Sequence, residues 1–162
     1  MPNNIVVKKV NYQDSVDAAM LVELLDMYAR DPMGGADALD EQVKARLCVD
    51  LACHPGAVSW IAFVDHKPVG LLNAFKGYST FKARPLMNVH DIAVDPAFRG
   101  QGVGQRLLDA LETYAQESGC CKLTLEVLSG NQVAQRSYQR FGFEQYALSV
   151  ETGQALFMQK WL

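Results

Sequence analysis

Residues 94 to 104 read Val94-Asp95-Pro96-Ala97-Phe98-Arg99-Gly100-Gln101-Gly102-Val103-Gly104, and they constrain the fold more than any other stretch. They follow a short apolar run. They open a segment whose apolar residues fall at Val103, Leu107, Leu108, Leu111 and Ala115, the spacing of one helix face. The pattern predicts a strand that passes through a tight glycine turn into a helix. Glycine has no Cβ, so backbone N–H groups there can turn toward a ligand and let it come close. The helix start adds unpaired N–H groups and the positive end of its dipole. The product is an anion cradle suited to phosphate or pyrophosphate. It is not a P-loop, because no G-x-x-x-x-G-K-[ST] string occurs. It is not a dinucleotide fingerprint either: the third glycine comes one residue early and the motif lies past mid-chain.

The 162 residues suit one domain spanning 1–162. At 49% hydrophobic and 20% charged, the composition supplies a full core. A formal net charge of −3 argues against nucleic acid or an anionic membrane as partner and is compatible with a cationic substrate. The opening Met1-Pro2-Asn3-Asn4 lacks the basic-then-apolar profile of a signal peptide. No apolar run is long enough to span a bilayer. Cys48, Cys53, Cys120 and Cys121 are spaced like neither a zinc site nor a disulfide framework. They read as reduced thiols in a cytoplasmic protein that needs no metal.

Elsewhere the punctuation is regular. Residues 5–10 read as a strand and residues 15–30 as a helix with a stripe at Val16, Ala19, Met20, Leu24 and Met27. Asp31-Pro32-Met33-Gly34-Gly35 breaks that helix into a flexible loop. Residues 39–53 form a second helix capped by Asp40 or Asp37. Residues 58–64 and 68–75 form a hairpin around Asp65-His66-Lys67, and 87–94 form the next strand. The helix after the glycines stops at Gly119. Residues 123–127 alternate as a strand, and Ser129-x-x-Gln132 has the form of a capping box. Residues 143–150 and 155–161 read as two final antiparallel strands around Thr152-Gly153. The order is β-αα-βββ-α-β-α-ββ, an α/β (α+β) class with a mixed sheet flanked by helices.

Two motifs carry a family resemblance. Arg99-x-x-Gly102-x-Gly104 resembles the acyl-CoA loop of the GNAT N-acetyltransferase superfamily. Downstream, Asn131-x-x-Ala134-x-x-x-Tyr138-x-x-Phe141-Gly142-Phe143 resembles the second conserved stretch of that superfamily, at the expected distance. The likeness covers roughly residues 58 to 143. It implies a twisted, mostly antiparallel sheet and acetyl-CoA as co-substrate, with an amine as the usual acceptor. Tyr78-Ser79-Thr80-Phe81 and Asn88-Val89-His90-Asp91 resemble the polyamine-type, small-amine branch over a short span.

The resemblance implies a distribution of roles. Backbone groups of Arg99, Gly100, Gln101, Gly102, Val103 and Gly104 hold the pyrophosphate. Strand backbone of Ile92, Ala93 and Val94 meets the acetyl and pantetheine part, Asn131 helps hold the CoA arm, and Tyr138 lies near the sulfur. Asn131 and Tyr138 are two helical turns apart and share a face. A phenol there can protonate the leaving thiolate. Histidine is a residue type that suits the base, and His90 is the candidate. Strict alternation puts His90 on the face of Ile92 and Val94, with Asp91 pointing away as the weaker candidate. Glu126, on the next strand, holds the amine or relays a proton. The loop from Tyr28 to Gly35 covers the acceptor, where Tyr28 and Asp31 contact a cationic amine.

These residues point to direct acetyl transfer to a primary amine of a small molecule in a ternary complex. A protein or peptide amine is the alternative within enzymes, and a non-catalytic acyl-CoA-binding or sensing module is the alternative outside them. A homodimer is expected only because it is the commonest soluble assembly.

Overall fold

The computed structural model describes residues 4–162, so most of the N-terminal stretch read for a leader lies outside the described residues. Five strands form one sheet in the order β1-β2-β3-β4-β5. They are β1 (Ile5–Lys9), β2 (Ala57–Val64), β3 (Lys67–Ser79), β4 (Arg84–Val94) and β5 (Leu123–Leu125). Neighbours from β1 to β4 run antiparallel and β5 joins β4 in parallel. The helices are α1 (Ser15–Arg30), α2 (Glu41–Cys53), α3 (Val103–Glu117) and α4 (Gln132–Phe141). The chain divides into two compact units, one up to Leu125 and one from Glu126 on. Among the described residues no helix is long and apolar enough to cross a membrane.

Local chemistry explains where the elements begin. The Asp14 carboxylate accepts from the N–H groups of Val16 and Asp17 and caps α1. Asp40, rather than Asp37, caps α2 through Gln42 N–H at 2.8 Å. Asp65 and His66 both take positive φ, as a two-residue turn between right-twisted strands requires. The β3–β4 hairpin runs further than alternation suggested, with pairing continuing out to Ser79 and Arg84.

Each sheet face carries part of the core of the first unit. Ile61 and Leu71 pack with Leu21, Leu24, Cys48 and Leu51 under α1 and α2. On the other face α3 buries the predicted stripe of Val103, Leu107, Leu108, Leu111 and Ala115. Trp60, 5% exposed, meets Tyr114 of α3 edge to face.

The second unit departs from the sequence reading. Residues 143–162 form neither of the two final strands, and Trp161 in this segment is 86% exposed. A strand needs a neighbour to take its backbone bonds, and an isolated hairpin is marginal in water. What forms instead is a turn closed by side chains: Ser149 N–H donates to Thr152 Oγ1 at 3.1 Å, and Thr152 Oγ1 donates to the Ser149 carbonyl at 3.0 Å. The predicted capping box is also replaced. Asn131 caps α4, its Oδ1 accepting from Ala134 N–H at 3.2 Å.

Candidate active site

The glycine turn forms where the sequence places it. Asp95 accepts from Ala97 N–H at 2.9 Å and caps a short 3-10 turn, Pro96–Phe98, at the end of β4. Gly100 and Gly102 follow with φ of 76° and 88°. Gly102 is the N-cap of α3 and supplies no side-chain cap to the start of that helix. A Cβ built at Gly100 or Gly102 meets nothing within 4 Å. The space over these two glycines is open, which leaves their backbone accessible to an anion such as pyrophosphate.

The Arg99 side chain is bonded within the chain. Its Nε donates to the Val94 carbonyl at 3.1 Å and its Nη2 to Asp31 Oδ2 at 3.0 Å. Arg99 and Asp31, which the sequence assigns to two different ligands, are therefore each other's partners. The Met33 N–H and then Arg99 hold the Asp31 carboxyl below the usual carboxylate range. The loop carrying Asp31 is tied down rather than flexible. Gly34 N–H and Ala36 N–H both donate to the Asp31 carbonyl, and Asp37 N–H donates to the Ala29 carbonyl. Gly34 lies so close to α1 that a Cβ would overlap the Tyr28 carbonyl oxygen.

Strand β4 contains the principal correction. Asp91 pairs with Asn73 and Val89 with Ala74, so His90 is an extra residue bulged out of the ladder. The bulge reverses parity. Ile92 and Val94 pair with Leu72 and Gly70 and share the α3 face, whereas His90 and Asp91 both open on the α1–α2 side. His90 is thus not on the face of Ile92 and Val94, and Asp91 does not point away from it. Pairing of β4 with β5 stops at Val89 opposite Leu125, so the edge from His90 to Val94 has no strand partner on that side among the described residues.

His90 and Asp91 line a cavity of about 310 Å³ together with Tyr28, Asn73 and Phe75. The His90 ring meets Phe75 edge to face at 5.6 Å between centroids. Burial, and then the negative charges of Asp91 and Asp31, push the Tyr28 phenol up. The Asp91 carboxylate accepts from Asn73 Nδ2 at 3.0 Å. Asn73 was not singled out by the motifs. Its signal was a polar residue in the middle of the apolar run Val69-Gly70-Leu71-Leu72-Asn73-Ala74-Phe75.

Glu126 does not lie on a strand. β5 ends at Leu125, and Glu126 is exposed at the start of the second unit. In that unit Asn131, Ala134, Gln135 and Tyr138 are all half-buried, which marks one helix face. The Tyr138 ring stands 6.0 Å from that of Phe143. No group of His, Cys, Asp or Glu among the described residues could hold a metal ion.

The sequence pattern of the acetyltransferase (GNAT) family matches residues 21–143. The chain belongs to that family. This family member is 43% identical over 58 residues to a [Ribosomal protein bS18]-alanine N-acetyltransferase of Haemophilus ducreyi, covering 36% of this chain and 40% of the relative. It is 27% identical over 105 residues to an aminoglycoside N(6')-acetyltransferase type 1 of Salmonella typhimurium, covering 63% and 68%. It spans less than half the length of the curated relatives it matches first. In fold, the chain is similar to AAC(6')-Iy in complex with a CoA-S-monomethyl-acetylneamine bisubstrate analogue. The TM-score is 0.78 at 18% identity, over 98% of this chain and 99% of that one.

Proposed function

We propose that this chain is an acetyl-CoA-dependent N-acetyltransferase acting on a primary amine of a small molecule by direct attack. The observation that carries the reading lies on one strand. β4 presents His90 and Asp91 to a cavity, and within ten residues it has run into the glycine turn. In this reading an acceptor pocket and an anion cradle are carried by one strand and the turn that follows it.

In this reading the backbone N–H groups from Arg99 to Gly104 bind the pyrophosphate of acetyl-CoA. The open β4 edge at Ile92, Ala93 and Val94 offers main-chain groups to the pantetheine arm and an N–H to the thioester carbonyl. Aliphatic amines have a pKa of about 10 and mostly arrive protonated. His90 takes that proton. The neutral nitrogen then attacks the carbonyl carbon, a C–N bond forms and the C–S bond breaks. Tyr138 gives its proton to the departing thiolate and is restored, through solvent, by the second proton that the nitrogen sheds as the amide forms, and Asn131 helps hold the CoA arm. Tyr28 and Asp31 line the acceptor's approach. The cavity is at the small end of ligand pockets, about 300 to 1,000 Å³. It fits a small amine or one amino end of a larger one, and the aminoglycoside-acetylating relative supports that class.

The test is thiol release from acetyl-CoA against 1,4-diaminobutane, tobramycin and a peptide with a free N-terminal alanine. Turnover of a small amine is expected, and Tyr138→Phe should cut kcat by about 10²–10⁴-fold with little change in acetyl-CoA affinity. Turnover of the peptide alone moves the assignment to protein N-termini, the reading favoured by the ribosomal-protein relative. Saturable CoA binding with no turnover makes the chain a binding module.

A further inference from the structure

A file of hydrogen bonds crosses the sheet beneath α1 and α2 and ends in the acceptor cavity. Tyr12, just after β1, has its hydroxyl 2.7 Å from Ser59 Oγ on β2. Ser59 Oγ is 2.5 Å from Asn73 Oδ1 on β3, and Asn73 Nδ2 is 3.0 Å from Asp91 Oδ2 on β4. Ser59, Asn73 and Asp91 are directly registered partners across three strands. Ser59 and Asn73 are 1% and 4% exposed, the only buried polar residues inside the strands among the described residues.

The direction of every bond follows from its last member. A carboxylate only accepts, so Asn73 must turn its NH₂ toward Asp91. Its oxygen therefore faces Ser59, which must donate. Ser59 has then spent its one proton, so Tyr12 donates to Ser59. Four groups on four segments are locked in one sense, each dipole pointing its positive end at Asp91. Two apolar residues at 59 and 73 would fill the same space without the cost of burying polar groups. A fully satisfied polar network instead fixes one orientation of the group at its end. At that end the second oxygen of Asp91 has no hydrogen bond among the described residues. It shares its cavity with Tyr28 and Phe75, rings whose faces attract ammonium groups.

The geometry points to Asp91 as the anion that receives the ammonium form of the acceptor, with Asn73, Ser59 and Tyr12 as positioning residues that aim it. The inference rests on the amine-acetylation reading and deepens it. Asp91 selects for cationic amines. His90, the neighbouring bulged residue, is left to move the proton. Tyr12 contributes to acceptor binding although two other side chains separate it from Asp91.

The experiment is steady-state kinetics with 1,4-diaminobutane as acceptor, in the full chain. Asp91→Asn keeps the shape and removes the charge. It should raise the KM for the diamine about 10- to 100-fold, with kcat within about threefold and KM for acetyl-CoA unchanged. Tyr12→Phe and Ser59→Ala should each raise the diamine KM about threefold. That increment should vanish when either is combined with Asp91→Asn, because the file then has nothing charged to aim. A role confined to packing would leave the increment intact in the double variant. An unchanged diamine KM in Asp91→Asn, with turnover present, overturns the anchor alone. An increment that persists in the double variants overturns the positioning file. Absence of thiol release with any amine overturns the acetylation reading and takes this inference with it.

Discussion

Gly102 and Gly104 stand two residues apart and meet different demands. Gly102 holds φ at 88°, where an L side chain costs about 1–2 kcal/mol, although nothing nearby would touch its Cβ. Gly104 is ordinary helix, and a Cβ there would meet only Val94 Cγ2 at 4.0 Å. In the free protein alanine suits position 104, since glycine inside a helix costs up to about 1 kcal/mol. If the turn binds pyrophosphate through its backbone, that methyl stands in the way. Gly104→Ala is therefore expected to raise the melting temperature by about 2 °C while weakening CoA binding at least tenfold by calorimetric titration. Gly102→Ala should lower both. A Gly104→Ala variant that binds CoA like the wild type would show that the turn is structural only. The motif was legible because glycine spacing is written in the sequence. Asn73 was harder to find: its partners Ser59 and Asp91 are 14 and 18 residues away and are joined to it only by strand register.

At the scale of elements, strand β4 is where the sequence misleads. Period-two reading sets Asp91 opposite Ile92 and Val94 correctly and places His90 wrongly, because one inserted residue shifts parity without changing composition. The helices were legible as elements and α3 buries the predicted set, but α1 buries Asp17, Leu21, Leu24 and Asp26 while Val16 and Ala19 of its expected stripe are exposed. A second element-level feature is the clamp between β1 and α1. Asp17, 2% exposed, accepts from Lys8 Nζ at 2.6 Å and from Asn11 N–H at 2.9 Å. Burial alone would push its carboxyl up, but the Lys8 hydrogen bond, the Asn11 N–H and the Lys8 charge outweigh it and hold it below the usual range. A group depressed on folding contributes stability that is complete above its unfolded value, about 3.9, and is lost as pH falls through the folded value. The melting-temperature difference between wild type and Asp17→Asn should thus be largest near pH 6 and shrink below pH 4. A difference that stays constant from pH 6 to pH 3 would mean the clamp acts through shape and not charge.

Across the whole molecule, the strand order of the first unit was legible because each apolar run is bounded by turn residues and consecutive strands pair as neighbours. The final two strands were not. Residues 143–162 have the side chains of strands, but pairing is a property of a neighbour, and no sequence window contains one. The two units also differ in what they bury. Every buried core residue lies at or before Ala115, and α4 has none. The tryptophans divide the same way, with Trp60 packed against Tyr114 and Trp161 open to solvent. The chain therefore carries one tryptophan in each unit, already distinguished by environment. Emission should be a sum of a blue-shifted, shielded component and a red-shifted one that iodide quenches. Trp161→Phe should leave only the shielded component, and equal quenching of both would contradict the burial described. Heating the wild type while reading both wavelengths would then report the melting of the first unit through Trp60, with the already exposed Trp161 as an internal reference, without a label.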